Sequence, residues 1–132
     1  MLKELVIRTY GRDQMKDITA DVNDALKTSP SPDGLCIVFV PHTTAGVTVN
    51  ESADPAVRSD ILKALARAVP PDAGYGHSEG NSDSHVKSSL VGVSLTLLFN
   101  ERRLTLGRWQ AVYFCEFDGP RTRKVILHVV PE

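Results

Sequence analysis

The sequence predicts an α+β fold: a single domain over residues 1–132, with a mainly antiparallel sheet of seven or eight strands and about three helices. Three observations lead there. Short apolar-rich runs bounded by turn residues recur along the chain. Many connections between them are too short for a parallel crossover. Helix signals are confined to three segments. A chain of 132 residues is also long enough to bury a core of its own.

Lys3–Tyr10 and Gln14–Asp17 read as two short strands joined by a turn at Gly11. Thr19 is the expected N-cap of a helix over Ala20–Lys27, with Val22, Ala25 and Leu26 on one face. The run from Ser29 to Gly34, with Pro30 and Pro32, then forces a turn. Leu35–Val40 is almost continuously apolar, the pattern of a strand covered on both faces. Gly46–Asn50 follows as a strand after a bend at Pro41–Ala45. Asp54 before Pro55 marks the clearest helix start, and Val57, Ile61, Leu65 and Val69 recur every four residues up to Pro70-Pro71. Asn81 or Ser82 caps a third helix over Asp83–Val91. Leu95–Phe99 alternates as a strand, and Asn100–Arg102 turns into Arg103–Leu106. Trp109–Phe117 and Arg123–Val130 read as a closing hairpin around Asp118–Arg121.

Composition narrows the function classes. The net charge is −1, from 15 basic and 16 acidic residues without a like-charge block, which argues against a surface built to bind nucleic acid. No segment approaches the roughly 20 apolar residues of a membrane helix, and the N-terminus has no signal-peptide pattern. No membrane partner is expected. Cys36 and Cys115 sit in apolar runs and read as reduced core residues, which points to the cytoplasm. No phosphate loop, dinucleotide fingerprint, nucleophile elbow or Cys-x-x-Cys occurs, so no nucleotide cofactor is expected.

The chemistry-bearing residues gather in a few places. His77 and His85 lie within a glycine-punctuated run from Gly74 to Ser89, and His42 ends the apolar strand. Together the three offer nitrogen ligands with an open position for water. Zinc suits such a set, as do nickel, copper or iron, and magnesium suits a diphosphate substrate. His85 lies in the first turn of a helix, a position that favours neutral imidazole. The competing reading of His42 is a corner residue bonded to backbone. Asn50 and Glu51 end a strand before a helix, and Glu51 caps that helix or serves a site. Glu116 lies mid-strand and needs a partner, with Arg108, Arg121 and Arg123 in question. His128 reads as a partly exposed strand residue. Lys87, Arg108 and Arg121 are the basic groups to consider for an anionic substrate.

Four stretches resemble the motifs of the YjbQ-like family. They are Pro41–Glu51 (PHTTAGVTVNE), His77–Lys87 (HSEGNSDSHVK), Leu106–Gln110 (LGRWQ) and Cys115–Arg121 (CEFDGPR), in the family's order. Ser84 stands where the family commonly has alanine, and Phe114 where it has an aliphatic residue. The resemblance implies an antiparallel α+β fold assembled as a homotrimer with clefts between subunits. It implies a site built from His42, His77 and His85, with Asn50, Glu51, Trp109 and Glu116 nearby. It also implies a secondary thiamine-phosphate synthase activity, which joins hydroxymethylpyrimidine diphosphate to a thiazole phosphate and releases pyrophosphate. Arg108 and Arg121 would then stabilise the leaving group. The expectation is thus a small-molecule enzyme with a metal-binding, histidine-rich site. The alternative is a trimeric metal- or ligand-binding module without turnover.

Overall fold

A computed structural model describes residues 1–132. In chain order the elements are β1 (Leu2–Arg8), β2 (Gln14–Asp17), α1 (Thr19–Leu26), β3 (Gly34–Phe39), β4 (Ala45–Glu51), α2 (Pro55–Ala68), α3 (Ser82–Val91), β5 (Ser94–Asn100), β6 (Arg103–Leu104), β7 (Gln110–Glu116) and β8 (Thr122–Pro131). They form two sheets, one of five strands in the order β1-β8-β3-β5-β6 and one of three in the order β2-β7-β4. Every pairing is antiparallel.

The inner faces of the two sheets and α1 share the main core. Cys36, Val38, Leu127 and Val125 from the large sheet meet Val47, Val112 and Phe114 from the small one, with Val22 and Leu26 of α1 closing the side. A second core lies on the other face of the small sheet, where Met15, Ala111, Tyr113, Cys115 and Phe117 receive Ile61, Leu62 and Leu65 of α2. Strand β7 therefore feeds alternate side chains into two cores, as the period of two requires. The cysteines belong to different cores and are free. Burial pushes the Cys36 thiol up to about 11 and Cys115 up to about 12, so both are inert.

Three sequence expectations give way to tertiary geometry. The closing hairpin does not form: β7 pairs with β2 and β4, whereas β8 pairs with β1 and β3. Asp118–Arg121 instead carries the chain from one sheet to the other. β3 is not covered on both faces, because Cys36 and Val38 are buried while Leu35 and Phe39 are 36% and 40% exposed. Thr19 does not cap α1 with its side chain. Its hydroxyl accepts the Val112 N–H at 2.9 Å, while Asp17 accepts the N–H of Thr19. Asp54 does cap α2, accepting from the Ala56 N–H at 2.9 Å ahead of Pro55.

The β5–β6 loop places Glu101 and Arg102 at φ 53° and 59°, the two left-handed positions of a type I′ hairpin turn. Residues with side chains avoid this region, so the loop must be held. Asp33 accepts from the Asn100 amide and the Glu101 N–H, and Pro32 accepts the Arg102 N–H at 2.8 Å. The proline-rich turn is therefore a clamp on its neighbour.

Three sheet-switching corners meet at one end of the sandwich: Thr9–Asp13, Val40–Thr44 and Phe117–Arg121. Gly119 stands at their junction, its N–H bonded to Arg12 O at 3.0 Å. A Cβ there would stand 2.8 Å from Glu116 Cγ and 3.0 Å from Thr9 Oγ1, and would collide with the Gly11 carbonyl. Overpacking of this kind costs about 1–3 kcal/mol. Urea unfolding of Gly119→Ala should register that loss, whereas Gly76→Ala, with open space around its Cβ, should stay within about 0.5 kcal/mol of the parent.

Candidate functional site

At the corner end lies an open cavity of about 370 Å³ whose lining is polar or charged apart from Pro41. Its walls are His42, Thr43 and Thr44 from the β3–β4 corner, Glu79, Asn81 and His85 around the start of α3, and Asp118, Arg121 and Arg123 from the β7–β8 crossing.

Helix α3 is docked in an inverted sense. Its buried residues are Asp83, Ser84, Lys87 and Ser88, while Val86 and Leu90 are exposed. Each buried group has a partner on a corner. Ser84 donates to Phe117 O at 2.5 Å and Ser88 to Ala45 O at 2.6 Å. Lys87 Nζ contacts Asp13 at 2.8 Å and Asp83 at 3.6 Å, and Arg12 joins both carboxylates at 3.0 Å. Burial would raise the Asp83 carboxyl, but Arg12 and Lys87 bring it below its usual range. These ties aim His85 into the cavity. Lys87 itself, expected from the sequence as a substrate-binding group, is 2% exposed, held by Asp13 and Asp83, and does not line the cavity. Ser84 is one of the ties.

Glu116 is likewise a structural group rather than a free acid. It is fully buried and accepts from Thr9 Oγ1 at 2.7 Å, from Arg123 Nε at 2.8 Å and Nη2, and from the Asp118 N–H at 3.0 Å. Of the arginines in question, Arg123 is the partner. Its Nη2 also donates to Thr44 Oγ1 at 2.8 Å, and its Nη1 carries no protein hydrogen bond where the side chain borders the cavity. Arg121, half-exposed, is steered by Asp118, whose carbonyl and Oδ2 accept at 2.8 and 3.0 Å. Asn81 donates to the same Oδ2 and leaves its own Oδ1 buried without a partner.

His42 Nε2 accepts the Lys124 N–H at 2.9 Å, so the corner reading of this residue is realised. That bond uses the Nε2 lone pair and leaves the proton on Nδ1. Burial, and after it the charge of Arg123, holds the His42 pKa below the usual imidazole value. His77 and His85 stand edge to face, with ring centroids 5.3 Å apart, but His77 borders a separate hollow beside Tyr75 and Ser82. No three His, Cys, Asp or Glu side chains of the chain are placed to hold a metal ion. The three-histidine centre expected from the sequence is not formed within one chain, because His42 already spends its free lone pair on backbone.

Asn50, Glu51, Arg108 and Trp109 lie at the other end of β4, about 20 Å from Ala45 by strand rise. Asn50 Oδ1 accepts the Glu51 N–H, Arg108 stacks on the Trp109 ring at 4.8 Å, and Glu51 does not cap α2. The single chain does not bring them to the histidines. A wider groove of about 800 Å³ runs between α1 and the β5–β6 turn, away from every motif residue. Pro41, Thr43, Thr44, Glu79, Asn81, Asp118 and Arg123 are the cavity residues that sequence reasoning did not assign to a site. The signals were the motif stretches, which hold all of these but Arg123, and Arg123 as a possible partner for Glu116.

This arrangement has relatives. The family model for YjbQ-like UPF0047 proteins matches residues 3–132. The chain belongs to that family. It is 48% identical to the UPF0047 protein YugU of Bacillus subtilis, over 98% of this chain and 99% of that protein. A UPF0047 protein of Methanocaldococcus jannaschii is 44% identical over 98% of this chain and 94% of its own. Among solved structures, a YjbQ/UPF0047 protein of Clostridium acetobutylicum superimposes with a TM-score of 0.94 at 47% identity, covering 97% of this chain and 99% of that one. The four motifs thus lie in a family fold, and the sheets, helices and corners are those of the family.

Two measurements check the geometry. Because folded Glu116 releases its proton more readily than an unfolded glutamate, its contribution is full at neutral pH. It is lost as pH falls from about 4.3 through the lowered folded value. Chemical unfolding across pH 2–7 should show this acid limb. Glu116→Gln should flatten it and cost roughly 3–5 kcal/mol at pH 7, because Arg123 stays buried without its counter-charge. For His42, imidazole ¹⁵N spectra at pH 6.5 should report a neutral ring protonated at Nδ1; a proton on Nε2 would contradict the Lys124 contact.

Proposed function

We propose that the corner cavity binds the phosphate or diphosphate group of a small metabolite in the cytoplasm, and that the protein acts on it as an enzyme. The lining, polar or charged apart from Pro41, carries this reading. Two arginines, each steered by a carboxylate, offer donors into a cavity that also holds the His42 Nδ1–H and the start of α3. Guanidinium forks match phosphate oxygens, and orientation by Glu116 and Asp118 lowers the ordering cost of binding.

The candidate reaction is the thiamine-phosphate coupling that the family resemblance suggests. Arg121 and Arg123 would stabilise charge developing on the departing pyrophosphate. With His42 and Glu116 committed to structural bonds, His85 is the imidazole left to move a proton. Zinc or magnesium enters this reading only with ligands beyond the single chain: phosphate oxygens or a neighbouring subunit, beside His77 and His85. A homotrimer would supply that neighbour. The outer face of the large sheet exposes Leu2, Val6 and Leu98 by more than 60%, around the Lys124–Glu4 ion pair. A head-to-tail ring would carry the Asn50–Trp109 end of one subunit toward the cavity of the next. The commitment of both His42 and Glu116 also favours the second reading, a binding module without turnover.

Calorimetry with inorganic pyrophosphate, a coupled turnover assay and light scattering test these readings together. A trimer that binds pyrophosphate, loses about 10- to 100-fold affinity in Arg121→Ala and releases pyrophosphate from the two thiamine precursors fulfils the proposal. Binding without turnover selects the module. No affinity for pyrophosphate or phosphate rejects the site.

A further inference from the structure

The five-stranded sheet treats its two edges differently. At one edge, β6 is two residues long and covered by α1, whose Asn23 Oδ1 accepts the Leu104 N–H at 2.9 Å. At the other edge, β1 runs for seven residues with β8 as its only strand neighbour, and no proline or bulge interrupts it. Backbone groups of alternate residues in a strand point to opposite sides. Met1 and Val129 exchange both backbone bonds, at 2.8 and 3.4 Å, and Thr9 N–H donates to Arg121 O at 3.0 Å, so the odd-numbered residues of β1 face β8. The N–H and C=O groups of Leu2, Glu4, Val6 and Arg8 therefore point away from the sheet. Of these, the Arg8 carbonyl is held by Lys16 Nζ at 2.9 Å. The side chains of the same residues stand on the outer face, with Leu2 71% and Val6 68% exposed. An open strand edge of this length is a template for another strand.

We propose that β1 pairs with β1 of a second copy of this chain across a two-fold axis at Val6, joining two five-stranded sheets edge to edge. The residues of the strand select both the occupant and the register. With the axis at Val6, the two Val6 residues exchange N–H and C=O, and Glu4 stands opposite Arg8 of the second copy on each side of the axis. Two carboxylate–guanidinium pairs then form on the outer face. An axis at Glu4 would set two carboxylates against each other. An axis at Leu5 or Ile7 would set Arg8 against Leu2 or Val6 and leave the charges unmatched. Both charges are available: Arg8 makes no ion pair in its own chain, and Glu4 has only the half-exposed Lys124 at 3.5 Å. The Glu4 N–H of the second copy takes the place of Lys16 on the Arg8 carbonyl. This pairing goes beyond the phosphate reading and does not depend on it. It uses the sheet's edge rather than its face, so it is also independent of a ring built from that face.

Light scattering on the full chain should give an even number of copies: two, or six where the outer faces also gather three. At low salt, Glu4→Arg and Arg8→Glu should each weaken the pairing about tenfold, because each sets like charges opposite one another at two places. The double variant exchanges the charges and should recover the parent's assembly, a recovery that a folding defect would not show. On mild oxidation Val6→Cys should give a disulfide-linked dimer on a non-reducing gel, since a hydrogen-bonded pair sets its Cα atoms about 5.5 Å apart. Glu4→Cys, placed opposite Arg8, should not, and the native thiols are buried. A monomer or a trimer alone, a double variant that fails to recover, or equal cross-linking from positions 4 and 6 would overturn the pairing.

Discussion

The ion pair between Arg123 and Glu116 holds the two sheets in register at the end where the chain crosses between them. Glu116 ends β7 in the small sheet and Arg123 is the second residue of β8 in the large one, so the pair spans the gap that the Asp118–Arg121 crossing bridges in sequence. Thr9 and Thr44 bring the other two corners to the same pair. Burying two charges is costly, and the cost is offset here because every Glu116 acceptor and most Arg123 donors are used. The cavity depends on this arrangement. A guanidinium fixed on one edge by a carboxylate presents its remaining edge in a defined direction, which a free surface arginine does not.

A second constraint runs through α3. Helices usually bury an apolar stripe, but this one buries Asp83, Ser84, Lys87 and Ser88. The reason is what it packs against: corner backbone carbonyls and the Asp13–Arg12 pair, which need donors and counter-charges rather than methyl groups. Directional bonds position a helix more narrowly than apolar packing, and His85 lies on it. Its exposed face, with Val86 and Leu90, is left apolar.

Much of the fold was legible. Element positions follow from turn residues and periodicity, and the Asp54-Pro55 start of α2 behaves as written. The failures share one cause. β7 and β8 look like a hairpin because two apolar runs flank an Asp-Gly-Pro turn, yet each pairs with strands far away in sequence. β3 looks doubly covered because Leu35, Ile37 and Phe39 are apolar, yet in the single chain that face is open. Local pattern carries no information about which sheet a strand joins. For the site, His42, His85 and Arg121 were readable as polar residues in motif stretches. Lys87 and Glu116 were readable too, but their roles depend on partners 74 and 7 residues away that only folding supplies.

By itself the sequence determined the class of the fold, the positions of the helices, the family and the stretches that line the candidate site. These depend on local periodicity, turn chemistry and motif order. Only the tertiary structure decided which polar residues are free to bind. His42 spends its Nε2 lone pair on Lys124, Glu116 its carboxylate on Arg123 and Lys87 its ammonium on Asp13 and Asp83. What the cavity keeps free of such commitments is the outer edge of Arg123, the Asn81 Oδ1, the His42 Nδ1–H and His85, beside an Arg121 steered by Asp118. A buried polar group must be partnered, and the partner is set by where three distant corners meet.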